Sequence, residues 1–113
     1  MVYSKNIASR IRKSLEYLSN VEEKKMFGSL AFLLNGKICL TAGPKRLMCR
    51  INPELHEQEI QNDGCSTVIM RGREYKGYLY IKEESLKNEK YFQHWISLAL
   101  DFNKQLTEKQ LHA

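Results

Sequence analysis

No apolar stretch in these 113 residues approaches the roughly 18 that a membrane-spanning helix needs. The first residues, "MVYSKNIASRIRK", lack the apolar segment of a secretory signal, so a cytoplasmic location is expected. Cysteine is scarce: Cys39, Cys49 and Cys65 are odd in number and widely spaced. That pattern excludes a disulfide framework and a paired CxxC metal site. Cys39 and Cys49 fall in apolar, strand-like runs and are expected as small buried hydrophobes. A reactive thiol would need a cation or a helix N-terminus beside it. HExxH, GxSxG, GxGxxG and Walker A patterns are all missing. "AGPKR" is spaced as a turn, not as a phosphate loop. No catalytic residue, cofactor or metal is expected.

Histidine is scarce too. His56 and Glu59, three apart in a Glu-rich helical segment, are the best metal pair the chain offers, and a solvated helix face is the plainer reading. His94 falls on the polar side of the last helix and His112 near the end of the chain. Glu83-Glu84 reads as a polar connector, because a paired acid and base need opposed environments. Cys39, Cys49, Cys65 and His56 are all that a small enzyme could use.

What the chain does have is one core's worth of patterned apolar residues, so residues 1–113 are expected to form a single domain. Ile7, Ile11, Leu15 and Leu18 recur at helical spacing, and residues 4–18 read as a helix. "SNVEEKK" reads as a polar break. The run "MFGSLAFLLNGKICL", Met26 to Leu40, is apolar apart from Gly28-Ser29 and Asn35-Gly36. Asn35-Gly36 is a hairpin signal, because a type I′ turn needs positive φ at both central residues. Leu30 to Leu34 shows no alternation. That pattern implies burial on both faces, or one face in the core and one against a partner. "RLMCRI" is a third strand, with Leu47, Cys49 and Ile51 on one face and Met48 and Arg50 on the other.

"NPELHEQEIQNDG" reads as a short helix capped by Asn52, with Pro53 at its first position and Gly64 at its end. "CSTVIM" and "YKGYLYI" read as strands around the turn "RGRE", with Gly77 marking a bulge or a close backbone approach. Asn88 is a candidate cap for a final helix over about 89–106. Tyr91, Trp95, Leu98, Ala99, Phe102 and Leu106 form its stripe, widened by Phe92, Ile96 and Leu100, with Asn103 as the exception. The apolar arc spans about 200° at 100° per residue, which asks for a second contact besides the sheet: the first helix or a second subunit. Residues 107–113, "TEKQLHA", are expected as a frayed or disordered tail. The order α-β-β-β-α-β-β-α puts the chain in the α+β class, two-layered, with a mostly antiparallel five-stranded sheet.

The net charge of +5 is lopsided. Residues 1–50 hold 10 Lys and Arg against 3 Glu, and residues 51–113 hold 8 against 10 acids, so the halves carry +7 and −2. A basic half suits an anionic partner such as nucleic acid, with a dispersed solvated surface as the alternative. "MRGREYKGYLY" interleaves Arg71, Arg73 and Lys76 with Tyr75, Tyr78 and Tyr80, as nucleic-acid modules do. A hairpin with tyrosine-rich strands explains the same residues. Arg10, Arg12, Lys13, Arg71, Arg73 and Lys76 are the candidate contacts to nucleic acid or a protein.

"EKKMFGSLAFLLNGKICL", "LMCRINPE", "REYKGYLYI" and "HWISLALDFNKQL", in that order, resemble the TfoX (Sxy) N-terminal domain family. The shared pattern runs from about Glu23 to Leu106. The resemblance implies an antiparallel α+β fold of the kind also seen in secretion chaperones. It implies a bacterial cytoplasmic regulator of DNA-uptake competence genes, with no enzymatic activity. The best-known members are transcriptional coactivators whose partner is a cyclic-AMP-dependent activator. Fuller members carry a second, C-terminal domain, and this chain is expected to be a stand-alone or excised N-terminal module. Met26, Phe27 and Gly28 form the family signature. With Asn35, Gly36, Gly77 and Trp95 they are expected to act through architecture.

Two functions follow as expectations. The first is a regulatory protein-binding module, with a transcription activator or a second copy as partner. The second is direct DNA or RNA binding through the basic N-terminal half and the Arg71–Arg73 loop.

Overall fold

Three hairpin turns set the sheet. Phe27-Gly28, Asn35-Gly36 and Arg71-Gly72 each place positive φ at both central residues, at 48° and 80°, 55° and 79°, and 54° and 74°. This is the type I′ requirement, and it matches the right-handed twist of the flanking strands. In the computed structural model, which describes residues 2–112 with side chains through Glu108, these turns and a fourth at Pro44-Lys45 belong to a sheet of six strands. They are β1 (Val21–Met26), β2 (Ser29–Leu34), β3 (Lys37–Gly43), β4 (Arg46–Arg50), β5 (Cys65–Met70) and β6 (Arg73–Lys82). The spatial order is β1-β2-β3-β4-β6-β5, and every neighbouring pair is antiparallel.

The α+β class, the two layers and the antiparallel sheet are as expected. The strand count is corrected from five to six. The extra strand is β1, "VEEKKM", which reads as a polar break. It lies at the sheet edge, pairs with β2 alone, and its four central residues are exposed. An edge strand covered with charge resists further pairing and carries no apolar alternation, so hydrophobic pattern does not reveal it.

Three helices cover one face. α1 (Lys5–Leu15) starts where the Ser4 hydroxyl accepts the Ile7 N–H at 3.1 Å, and it buries Ile7, Ala8, Ile11 and Leu15. It ends one turn before the expected boundary at residue 18. Asn52 caps the next segment as expected, accepting from the Glu54 N–H at 2.9 Å. The helix expected there is only a 3₁₀ turn over Pro53–Leu55 and one α turn, α2 (His56–Glu59). α3 (Glu89–His112) begins at the Asn88 cap, whose side chain accepts the Tyr91 N–H at 3.1 Å. The backbone of 107–112 continues α3 past the expected end at about 106, and Ala113 lies outside the described residues.

The core lies between this layer and the sheet. Leu30, Phe32, Leu40, Leu47, Leu79 and Ile81 meet Ile7, Ile11, Phe92, Trp95, Ile96 and Ala99 there. Trp95 is fully buried, as an anchor of α3 should be. The wide arc of α3 finds its second contact in α1: Gln93 donates to the Ser14 hydroxyl at 2.9 Å, and the Arg10 guanidinium lies 4.0 Å from the centre of the Phe92 ring. Asn103, the polar exception in the stripe, is buried and donates to the Leu34 carbonyl at 3.0 Å. A buried amide with such a partner locks the β2–β3 hairpin to α3 instead of weakening the core.

Gly77 does both things expected of it. The β5–β6 ladder slips between Thr67 and Val68, opposite Gly77. At φ 89°, a Cβ on Gly77 would stand 2.9 Å from the Ile51 carbonyl oxygen. Its own N–H donates to His56 Nδ1 at 2.9 Å, and its carbonyl accepts the Ile51 N–H at 2.7 Å.

Candidate functional site

The second face of the sheet carries no helix. Strand alternation decides what it displays, since side chains directly opposite in a ladder point to the same side. The pairs Met26↔Ser29, Ala31↔Thr41, Leu33↔Ile38, Thr41↔Met48, Met48↔Tyr80 and Arg50↔Tyr78 all belong to it. The slip between Phe32 and Leu33 matters here. It returns Ile38 to the open side while Cys39 and Leu40 stay in the core. The slip at Thr67/Val68 does the same for Tyr75, which pairs with Val68. Most of these residues, with Phe27, Arg46 and Met70, line a groove of about 400 Å³; Leu33 and Arg50 lie outside it. The lack of alternation in Leu30–Leu34 is thereby explained: Leu30, Phe32 and Leu34 enter the core, and Ala31 and Leu33 belong to this face.

The rim is unusual. Phe27 is fully exposed, and it occupies the first central position of its turn at φ 48°. A bulky residue there is strained, at a cost of order 1 kcal/mol or more, where Asn or Gly would be nearly free. Ile69 and Met70, at the β5–β6 tip, are also more than half exposed. Neither strain nor exposure is repaid by packing within this chain.

The charge on the face has one dominant sign. By register, Lys24, Arg46 and Arg73 share it with a single ladder carboxylate, Glu22, whereas Arg50 reaches the Phe102 ring of α3 at 5.6 Å and Lys82 lines a pocket beside Asn6 and Arg10. The Arg46 guanidinium lies 3.6 Å from the centre of the Tyr80 ring, and Arg73 lies 5.9 Å from that of Tyr75. Tyr75 and Tyr78 meet edge to face, with centroids 6.1 Å apart.

The six candidate contacts are not brought together. Arg10 is built into the fold: it donates to the Leu86 carbonyl at 2.7 Å, pairs with Glu89 at 3.1 Å and covers Phe92. Arg12 grips Glu23 with two bonds of 2.6 and 2.8 Å, which holds the Glu23 carboxyl below the usual carboxylate range. Lys13 is exposed on α1. Lys76 pairs with Glu57 at 3.5 Å. Arg71 sits in the β5–β6 turn at positive φ and Arg73 starts β6. Only Arg73 joins the tyrosines. Met26 and Phe27, read from sequence as architecture, line the groove, whereas Gly28, Asn35 and Gly36 serve turns. Sequence reading places Met48 and Arg50 opposite the core, but it does not single out Arg46, Met70 or Ile38. Alternation across "RLMCR" is the signal for Arg46, whereas the bulge that re-aims Ile38 has none.

The remaining chemical groups are occupied by the fold. His56 is buried, accepts from the Gly77 N–H through Nδ1, and so carries its proton on Nε2, 2.9 Å from the Thr67 hydroxyl. Both ring nitrogens are spent, which removes His56 as a ligand. Glu59, its supposed co-ligand, instead contacts His94 Nε2 at 2.7 Å and the Asn62 amide at 2.9 Å. Burial pushes the Cys39 thiol up to about 12 and the Cys65 thiol up to about 11, with Glu59 adding to the latter. Cys49 is raised well above the ordinary range by burial first. Thiols so raised supply almost no nucleophilic thiolate at neutral pH.

No described helix is long and apolar enough to cross a membrane. The family whose sequence pattern matches, over residues 13–103, is described as the TfoX N-terminal domain. No curated protein matches, and neither does any solved structure.

Proposed function

The chain belongs to the TfoX N-terminal domain family, and on that premise we propose that it is a non-enzymatic regulatory module. It works in the bacterial cytoplasm through a protein partner. As in the best-known members of the family it resembles, that partner is a cyclic-AMP-dependent transcription activator, and the regulated genes serve DNA uptake.

One observation carries this reading: a sheet covered by helices on one side only, with an apolar, arginine-edged groove on the other. Layered folds bury both faces of a sheet unless one is reserved for water or for another molecule. This face is too apolar for water, with three methionines and three tyrosines lining it. The raised thiols and the engaged His56 weigh further against catalysis.

Transcription reconstituted from purified activator, polymerase and a competence promoter tests the reading. Adding this chain is expected to raise transcript yield, and to do so only when the activator is present. Unchanged yield across a titration of the chain would overturn it.

A further inference from the structure

We propose that the open face of the sheet binds an acidic amphipathic helix presented by a partner protein, with Phe27 as the anchor and Arg46 as the charge reader. This deepens the regulatory reading above and rests on it.

Composition is the first argument. The cores of protein interfaces are enriched in aromatics, Met and Arg, and depleted in Lys, Glu and Asp. The groove holds Met26, Met48, Met70 and Tyr78, with Arg46 beside Tyr80 and no carboxylate. Methionine is flexible and fills irregular space, so it suits a surface that must close over another molecule's side chains.

Phe27 is the second argument. Arg71 and Lys45 share its left-handed backbone at φ 54° and 57°, but Phe27 alone of the three is apolar, and its ring is fully exposed. A rigid ring lining an apolar groove has the character of a binding hot spot.

Charge chooses the occupant. Three cations, Lys24, Arg46 and Arg73, share the face with one carboxylate, so two copies of it would repel one another. A partner with acidic flanks complements it. Shape agrees: a helix of 10–12 Å diameter fits on a sheet face, as α3 does on the other side. A single-stranded nucleic acid would want free ring faces for stacking. Here the Arg46 guanidinium takes one face of Tyr80 at 3.6 Å, and the methionines offer no stacking plane.

The test uses the full chain and fluorescence anisotropy with three labelled probes. The first is a helical peptide of about 18 residues, some 27 Å long at 1.5 Å per residue, with Leu and Phe on one face and Glu on its flanks. The second replaces Glu by Lys, and the third is an oligo-deoxythymidine strand of similar length. The Glu peptide is expected to bind at least about tenfold tighter than the Lys peptide, and the strand not at all. Phe27→Asn and Arg46→Glu are each expected to weaken the Glu peptide at least about tenfold with no loss of thermal stability. Four results overturn the proposal: no binding of the Glu peptide, equal binding of both peptides, full binding by Phe27→Asn, or tight binding of the DNA strand alone. Phe27 is exposed, so that variant decides the matter even if Arg46→Glu fails to fold. The same variant in the transcription assay separates the two readings. Stimulation by both wild type and Phe27→Asn overturns the face and spares the regulatory role. No stimulation by wild type, with peptide binding intact, overturns the regulatory role and spares the face.

Discussion

The two faces of this sheet are built from the same strands and have opposite chemistry. On the covered face stand Leu30, Phe32, Leu40, Leu47, Leu79 and Ile81, side chains with few rotamers that lock against α1 and α3. On the open face stand Met26, Met48, Met70, Tyr75, Tyr78 and Tyr80, edged by arginine. Aliphatic residues with defined shapes specify one packing, whereas methionine and tyrosine tolerate several. Polar groups follow the same division. On the covered side, Asn103, His56 and Glu59 are buried with their hydrogen bonds made inside the chain. On the open side the guanidinium groups lie over rings and remain exposed to solvent. One face therefore stabilises the chain, and the other contributes no helix packing to it.

If that division is right, substitutions on the covered face should cost stability heavily. Trp95→Ala should have the largest effect. The ring is fully buried among α3, α1 and the sheet, and truncating such a residue typically costs 3–5 kcal/mol. Urea unfolding followed by circular dichroism measures it. A loss under about 1 kcal/mol would mean that the covered face is not the stabilising one.

A matched pair of glycines sharpens the comparison. Gly36 and Gly77 have similar positive φ, 79° and 89°. A Cβ at Gly36 meets nothing within 4 Å, so Gly36→Ala isolates the left-handed penalty of roughly 1 kcal/mol. A Cβ at Gly77 stands 2.9 Å from the Ile51 carbonyl oxygen and 3.2 Å from the Pro53 ring. Gly77→Ala therefore adds a backbone clash to the same strain and is expected to cost about 2–3 kcal/mol. Equal melting shifts for the two variants would show that the contact between β6 and the Asn52 turn is loose.

How far the sequence carries is also divided by face. The covered face is legible because its residues obey one period at a time: Ile7, Ile11 and Leu15 on a helix, Leu47, Cys49 and Ile51 on a strand. Turn chemistry is legible as well at Asn35-Gly36, which needs the positive φ that both residues favour, whereas at Arg71-Gly72 only the glycine does. β1 is not, because an edge strand made of charges has no hydrophobic alternation. His56 is not, because its burial depends on Gly77, 21 residues away in sequence. The groove is only half legible. Alternation sends Met48 outward, but two ladder slips re-aim Ile38 and Tyr75, and no local pattern announces a slip. The basic N-terminal half misleads for a similar reason: Arg10 and Arg12 look like a patch, while their partners Glu89 and Glu23 lie elsewhere in the chain.

The smallest expected effect has the opposite sign and breaks the comparison most cleanly. Phe27→Asn removes a bulky residue from a left-handed turn position and places there one that accepts φ near 50°. The ring buries nothing within the chain, so its loss should cost no packing. Relief of the strain should raise stability by about 0.5–1 kcal/mol, an amount visible as a shift of the urea midpoint at constant slope. A face built for stability would lose stability when an aromatic is removed from it. A gain identifies Phe27 as a residue kept at the chain's own expense, and a loss would place the ring in the fold instead of at its disposal.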